Sequence, residues 1–379
     1  MNILIIGGTG VLSSAVTAEA LKRGIAVTMI NRGRRTIPEG VELIKADMND
    51  HGLIREKLAG HQYDAVIDFL CYTDEATKKS VELYSNYTKQ YFFISSCAVY
   101  DTATLNGQCA DEESKKVLSI WDYSVNKWKS EELLMSLFKG KAANYTVIRP
   151  CVTYGDTRIP YGISPMYGYH WTLCARILAG KPIIRWNGGV NRCNIMRVED
   201  FAVGVVGLVG NSKAYNEVFN VCGDEAPTWN DVLSVLEGLL GKKIVTVDIP
   251  SEFYAKHLPK RAGEIIGGRS IDTINSNKKI KAAVPFFEQT IFLKEGVAMT
   301  LNAYKSQSYQ KGIDWSFDAE TDRIIRRWCK YKRIDVNKYN LHFMDYLDNA
   351  SMTQKIKYYV VKHSDNFLVS FALSVMGKK

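Results

Sequence analysis

The chain opens with MNILIIGGTGVLSSAV, residues 1–16, and the reading of Gly7-Gly8-Thr9-Gly10 within it decides the fold. Four apolar residues, Ile3 to Ile6, run straight into the glycines, as a short strand buried on both faces does. Val11 to Arg23 then reads as a helix ending at Gly24. Glycines between strand and helix let the backbone turn tightly. They bring its N–H groups, with the positive helix end, against a pyrophosphate. The spacing Gly7-x-x-Gly10-x-x-Ser13 puts serine where a third glycine is expected, and serine is still small enough for close helix packing. The competing reading is a glycine-rich turn that binds nothing.

Outward from this turn the first 150 residues alternate strand and helix. VTMIN (27–31), VELIKA (41–46), DAVIDFL (64–70), QYFFISS (90–96) and YTVIRP (145–150) are apolar or β-branched runs, separated by helix-like segments at 52–59, 74–85 and 123–138. Such alternation predicts an α/β chain with a doubly wound parallel sheet and helices on both faces. Beyond Pro150 the pattern loosens. Residues 154–170 are rich in Gly, Pro and Tyr, which suits a loop over a site. EVFNVCG (217–223) reads as a strand returning to the sheet, and 228–240 as an amphipathic helix opened by Thr228. The expected division is 1–155 with 190–222 as one domain, 156–189 with 223–330 as a smaller discontinuous one, and 331–379 as a basic amphipathic extension.

With 379 residues the chain can bury a large core in two domains. No signal peptide is expected, because Met1-Asn2 leads directly into the first strand and the glycines break the apolar run. Eight cysteines without a C-x-x-C pair suit reduced thiols in a cytoplasmic protein. The histidines show no metal-binding spacing, so no metal is expected. The net charge of +9 raises the question of nucleic acid. From Thr321 to Lys379, however, twelve Lys/Arg stand against five Asp/Glu, so most of the excess lies in the last sixth of the chain. The body is close to neutral.

Two further stretches carry chemistry. The second strand ends in Asn31-Arg32-Gly33-Arg34-Arg35, where a dinucleotide fold usually has an acid for the adenosine ribose hydroxyls. Three guanidinium groups there suit a ribose 2′-phosphate, which favours NADP(H), with NAD(H) as the alternative. The other reading is a solvated basic turn. Asp47, in KADMND, follows the third strand, where a carboxylate can accept from the adenine amino group. The second stretch is WDYSVNKWKSEELL, in which Tyr123 and Lys127 are four residues apart on one helix face. A phenol is a poor base at neutral pH, and a neighbouring ammonium lowers its pKa towards a useful value. Hydroxyls of YFFISSCAVY lie just upstream, at the carboxyl end of an expected strand, where open parallel sheets bind ligands.

Taken in order, Gly7-x-x-Gly10, Ser95-Ser96-x-x-Val99-Tyr100, Tyr123-x-x-x-Lys127 and Arg149-Pro150-x-x-x-Tyr154-Gly155 resemble the extended short-chain dehydrogenase/reductase family. Within it the chain is similar to the NAD(P)-dependent nucleotide-sugar epimerases and dehydratases. The resemblance covers about residues 1–305 and includes NIMRVEDFA (194–202), FNVCGDEAPTW (219–229) and SNKKIKAAVPFF (276–287). It implies a Rossmann-type first domain, a substrate-binding second domain and a homodimer. It implies Tyr123 as general acid/base, Lys127 as ribose ligand and pKa modulator, and Ser96 (or Ser95, one register earlier) as hydrogen-bond partner of the reacting oxygen. Cofactor contacts are implied for Gly7, Gly10, Val11, Leu12, Asn31, Arg32, Arg34, Arg35, Asp47, Met48, Tyr123, Lys127 and Pro150. A nucleoside-diphosphate sugar is expected against Ser96, Cys97, Tyr123 and Tyr154, with its diphosphate on Arg192 and Arg269. Tyr161, Tyr167 and Tyr169 either cover the ligand or pack the loop.

Where the family's 4,6-dehydratases carry an Asp-Glu pair before Val-Tyr, this chain has Cys97-Ala98, which disfavours dehydration. An epimerase working through a transient keto intermediate is expected first, and an NADPH-dependent keto-sugar reductase second. Some atypical relatives bind RNA and have lost catalysis; the intact Ser-Tyr-Lys set and a charge gathered in the tail argue against nucleic acid here. In the tail, the apolar run Phe367–Met376 is too short to span a bilayer. It reads as part of a helix docked on its own body, a membrane-interface segment or a partner contact.

Overall fold

Alternate residues of the first strand go to opposite faces of a sheet. Ile3 and Ile5 enter one hydrophobic cluster with Val16, Ala20, Phe201 and Val205. Leu4 and Ile6 enter another with Ile54, Val81, Tyr91 and Leu134. Burial on both faces is why these strands read as unbroken apolar runs. The structure is a computed structural model and describes residues 1–116, 120–166, 168–343, 350–366 and 369.

In chain order the elements are β1 (Asn2–Ile6), α1 (Val11–Lys22), β2 (Ala26–Asn31), β3 (Val41–Lys45), α2 (His51–Leu58), β4 (Tyr63–Asp68), α3 (Asp74–Tyr84) and β5 (Thr88–Ile94). There follow α4 (Asp122–Leu137), β6 (Asn144–Pro150), β7 (Val152–Tyr154), α5 (Trp171–Leu178), β8 (Ile183–Trp186), β9 (Ile195–Arg197), α6 (Val198–Gly207) and β10 (Glu217–Val221). The last are α7 (Trp229–Leu240), β11 (Thr246–Ile249), α8 (Ser251–His257), α9 (Ala262–Glu264), α10 (Lys278–Ala283), α11 (Leu293–Ser306), α12 (Trp315–Lys332) and α13 (Met352–Lys362).

Seven strands form one sheet in the order β10-β6-β5-β4-β1-β2-β3, and every neighbouring pair is parallel. The strand order reverses between β1 and β4, the switch point at which such sheets bind ligands. This is the doubly wound Rossmann-type sheet expected from the alternation. β7 and β9 pair separately, as do β8 and β11; these four short strands were not legible in the sequence.

The chain divides into two units. The first comprises Met1–Gly155, Arg192–Pro227 and Ile271–Leu293, and holds the seven-stranded sheet. The second comprises Asp156–Asn191, Thr228–Ser270 and Lys294–Lys379. Residues 271–293, expected in the second unit, belong to the first. Ile280, Val284 and Phe287 close the hydrophobic cluster over one face of the sheet, and Asp200 accepts from the main-chain N–H groups of Thr290 (3.1 Å) and Ile291 (3.0 Å).

In the second unit the indole N–H groups of Trp186 and Trp229 both donate to the Arg269 carbonyl, at 2.8 and 2.9 Å. A buried charge cluster sets Lys181 against Asp318 (2.8 Å) and Asp322 (2.7 Å), with Arg176 bridging the same two carboxylates. Tyr358 of α13 donates to Asp322 at 2.5 Å. The described part of the C-terminal extension is thus seated in the second unit by a buried hydrogen bond; Phe367–Met376 lies outside the described residues except for Val369. No helix among the described residues is long and apolar enough to cross a membrane.

Candidate active site

The glycine turn leaves β1 with positive φ at Gly7 (+102°) and Gly8 (+74°), a backbone course that side chains rarely follow. Ser13, in the place of the third glycine, accepts from the Gly10 N–H at 2.8 Å and so caps its own helix. Val11 and Leu12 open α1, where first-turn N–H groups have no acceptor within the helix. Asn31, at the end of β2, ties this turn to the next: its amide donates to the Gly7 carbonyl at 3.1 Å and accepts from the Gly33 N–H at 2.7 Å.

Arg32, Arg34 and Arg35 are exposed, and Arg35 donates to the Thr9 carbonyl in the glycine turn. Asp47 faces the same corner. Its carboxyl is held below the usual range chiefly by the Asn49 N–H, with the Asn49 amide and then Arg32 and Arg34 adding to it. Met48 packs half-buried on the sheet. The basic turn, the glycine turn and the Asp47 turn are therefore connected by hydrogen bonds and charge.

α4 buries an unusual stripe: Ser124, Lys127, Ser130, Glu131 and Leu134. Lys127 is 3% exposed, and its ammonium donates to two main-chain carbonyls, Cys71 (2.6 Å) and Ile94 (2.7 Å), at the carboxyl ends of β4 and β5. Burial pulls its pKa down to about 8 from the usual 10.5, although Cys71, Asp68 and Glu131 oppose the shift. Tyr123, one turn earlier, is 37% exposed, with its ring 5.2 Å from that of Trp121. Lysine and tyrosine thus share one side of the helix, the first buried and the second at the surface.

The two serines have different fates. Ser95 is buried and donates to Glu131, whose carboxylate also takes a bidentate pair from Arg149 at 3.0 and 2.5 Å. Ser96 is half-buried and accepts from the Ala98 N–H at 3.1 Å. Ser95 is therefore fixed in a structural network, and Ser96 is the serine at the surface of the β5 end. The Glu131–Arg149 pair was missed in the sequence, although Glu131 stands four residues beyond Lys127 on the same helix face. Arg149 also donates to Tyr100, and Tyr100 to Asn220, both at 2.6 Å.

Three expected ligand residues are placed differently. Cys97 turns its thiol inward to the Arg149 carbonyl at 3.1 Å, and burial pushes the thiol pKa well up. Tyr154 is fully buried under the Arg197 guanidinium, which lies 5.6 Å from its ring centroid. It is a packing residue. Arg269, in the second unit, has its guanidinium 3.4 Å from Glu264. Arg192, in the first unit, is exposed and donates to the Ala226 carbonyl at 3.3 Å. Pro150 closes β6. Tyr161 is buried, with its hydroxyl on the Ile184 carbonyl at 3.0 Å, and so packs the loop; Tyr167 lies outside the described residues.

The sequence profile of the NAD dependent epimerase/dehydratase family matches residues 3–222. The chain belongs to this family. Over 244 residues it is 26% identical to the chloroplast stem-loop binding protein of 41 kDa b from Arabidopsis thaliana, a match covering 60% of each chain. Over 170 residues it is 24% identical to UDP-glucose 4-epimerase from Lactobacillus helveticus, covering 39% of this chain and 51% of that one. The chain thus spans little more than half the length of these two relatives. A solved UDP-glucuronic acid 4-epimerase from Bacillus cereus, in complex with UDP-glucuronic acid and NAD, is similar with a TM-score of 0.62. It is 17% identical, with coverage of 81% of this chain and all of that one. At that identity the likeness is one of fold.

Proposed function

We propose that this protein is an NAD(P)-dependent epimerase acting on a nucleoside-diphosphate sugar through a transient keto intermediate. The observation that carries the reading is the Lys127 ammonium, buried four residues after Tyr123 and gripped by two carbonyls instead of a carboxylate. A buried ammonium costs stability unless something uses it. An ammonium has three protons, of which the carbonyls of Cys71 and Ile94 take two; the Tyr72 and Phe93 rings, with centroids 4.8 and 5.1 Å away, are weaker partners than the ribose hydroxyl that would take the third.

The first unit fits a dinucleotide. Positive φ at Gly7 and Gly8 strains any other residue, and a Cβ on Gly8 would also force the Met29 side chain to shift, so the turn favours glycine where a phosphate would approach its N–H groups. Gly7, Gly10, Val11 and Leu12 would hold the pyrophosphate. Asn31, Arg32, Arg34, Arg35, Asp47 and Met48 would hold the adenosine end, and Tyr123, Lys127 and Pro150 the nicotinamide end. A bound nicotinamide ring supplies a hydride acceptor and donor. Tyr123 would take the proton of the reacting sugar hydroxyl, and Ser96 would steady that oxygen. Lys127 favours the phenolate. Tyr123 would then return the proton to that oxygen, and inversion would need the hydride that a bound nicotinamide supplies to reach the other face of the keto sugar.

Cys97-Ala98 offers no side chain able to protonate a leaving hydroxyl, which supports epimerisation over dehydration. The guanidinium cluster supports NADP(H) over NAD(H), and with it the reductase alternative. A thermal-shift screen of UDP-, GDP-, CDP- and dTDP-sugars tests the substrate class; no response from any would overturn it. An epimerase interconverts sugars with no net change in nicotinamide absorbance, whereas a reductase consumes one reduced cofactor per product. Tyr123→Phe should abolish either activity and leave cofactor bound. Arg32→Asp should move preference towards NAD. The name of the Arabidopsis relative, a stem-loop binding protein, supports the RNA-binding alternative as a second reading, and salt-sensitive binding of an RNA hairpin without turnover of any nucleotide sugar would replace the enzyme reading with it.

A further inference from the structure

In the second unit, the last turns of α12 and the residues around the end of α13 line an open cavity of about 390 Å³. Its wall carries Arg326, Arg327 and Lys330 from α12, with His363 and Asp365 facing them. Arg326 donates to Nδ1 of His363 at 2.7 Å, and Arg327 to Asp365 at 3.2 Å. Among the described residues of the wall, one carboxylate thus answers three cations, and Lys330 is exposed.

α13 leads into this cavity with two unlike faces. Inward, Tyr358 and Lys362 are buried, the first on Asp322 and the second on the Leu341 carbonyl. Outward, Met352, Ile356 and Tyr359 are 72%, 57% and 50% exposed. Steps of four and three residues put these three on one face, and one further step of four reaches His363. The exposed apolar stripe therefore runs to the mouth of the cationic cavity. Lys357 flanks it, exposed.

We propose that this surface docks on a bilayer containing anionic phospholipid, with a headgroup phosphate in the Arg326/Arg327/Lys330 cavity and the Met352–Ile356–Tyr359 face against the acyl boundary. Guanidinium forks match phosphate oxygens, and a basic rim beside an aliphatic stripe is the pattern of an interfacial helix. A nucleic acid would engage the cations but has no use for an exposed methionine and isoleucine. Charge complementarity is strong, since the segment from Thr321 onward carries twelve Lys/Arg against five Asp/Glu.

The test uses the full chain, sedimented with vesicles of phosphatidylcholine alone and of phosphatidylcholine with a quarter phosphatidylglycerol. Binding should require the anionic lipid and weaken as salt is raised. Each basic residue near such a surface is worth roughly fivefold, so Arg327→Glu with Lys330→Glu should lower partitioning by about 25-fold or more. Met352→Glu with Ile356→Glu should do the same, while cofactor binding and unfolding temperature stay unchanged. Should the Arg327 change lower the unfolding temperature, Lys330→Glu alone keeps the comparison. Equal binding to both vesicles would overturn the proposal. So would tight binding of an RNA hairpin that the charge reversal abolishes and the Met352/Ile356 pair leaves intact, which marks a nucleic-acid surface.

Discussion

At Gly8 the chain turns with φ of +74°, and its Cα faces the Met29 side chain with no room for a methyl group. Gly8→Ala combines an unfavourable backbone region with a forced shift of Met29, for a cost of about 2–3 kcal/mol, read as a lower urea midpoint. It should also weaken cofactor binding. Lys127 is the residue where pH matters. Its ammonium has a pKa of about 8, so as pH rises through that value the folded chain loses the proton while the unfolded chain holds it to about 10.5. Between those values the unfolded state binds more protons, and stability rises with pH on this account. Turnover should move the opposite way, falling above about pH 8 as the third ammonium proton is lost. Lys127→Arg should remove that alkaline fall, with some activity lost at neutral pH to its larger head; a fall unchanged in the variant would assign it to another group.

At the scale of the element, α4 does two tasks with one face. Its first turn presents Tyr123, and its buried stripe carries Lys127 to the β4 and β5 ends and Glu131 to Arg149 of β6. Both ends of the Glu131–Arg149 pair are almost wholly buried. Glu131→Ala leaves the guanidinium without its counter-charge and should cost about 3–5 kcal/mol in urea unfolding. Glu131→Leu combined with Arg149→Met should recover most of that loss, because an apolar pair removes both charges. The helix pattern itself was legible. That its buried face is largely polar was not, because periodicity reports which face is inside only when the inside is apolar.

For the whole molecule, the division into two units makes ligand linkage informative. A cofactor held only by the first unit stabilises it by about 2.7 kcal/mol at a hundredfold excess over Kd. Hydrogen exchange should then slow at the glycine turn, the basic turn after β2 and the start of α4. The β8–β11 pair and the buried Lys181/Arg176/Asp318/Asp322 cluster should stay as they were. Slowing at that cluster as well would show that the second unit also senses the cofactor.

By itself the sequence determined the seven parallel strands' main runs, the glycine turn at the switch point and the helix bearing Tyr123 and Lys127, since each is a local pattern fixed by burial period or backbone conformation. Tertiary structure alone decided the rest. Lys127 meets the carbonyls of Ile94 and Cys71 across 33 and 56 residues, and Cys97 approaches Asn220 across 123. Ser95 went to Glu131 and Ser96 to the surface because one step along an extended backbone reverses the side a residue faces. Residues 271–293 joined the first unit because Ile280, Val284 and Phe287 cover apolar surface left open by α1 and α6. No short window of sequence records that surface, which exists only once distant segments have packed together.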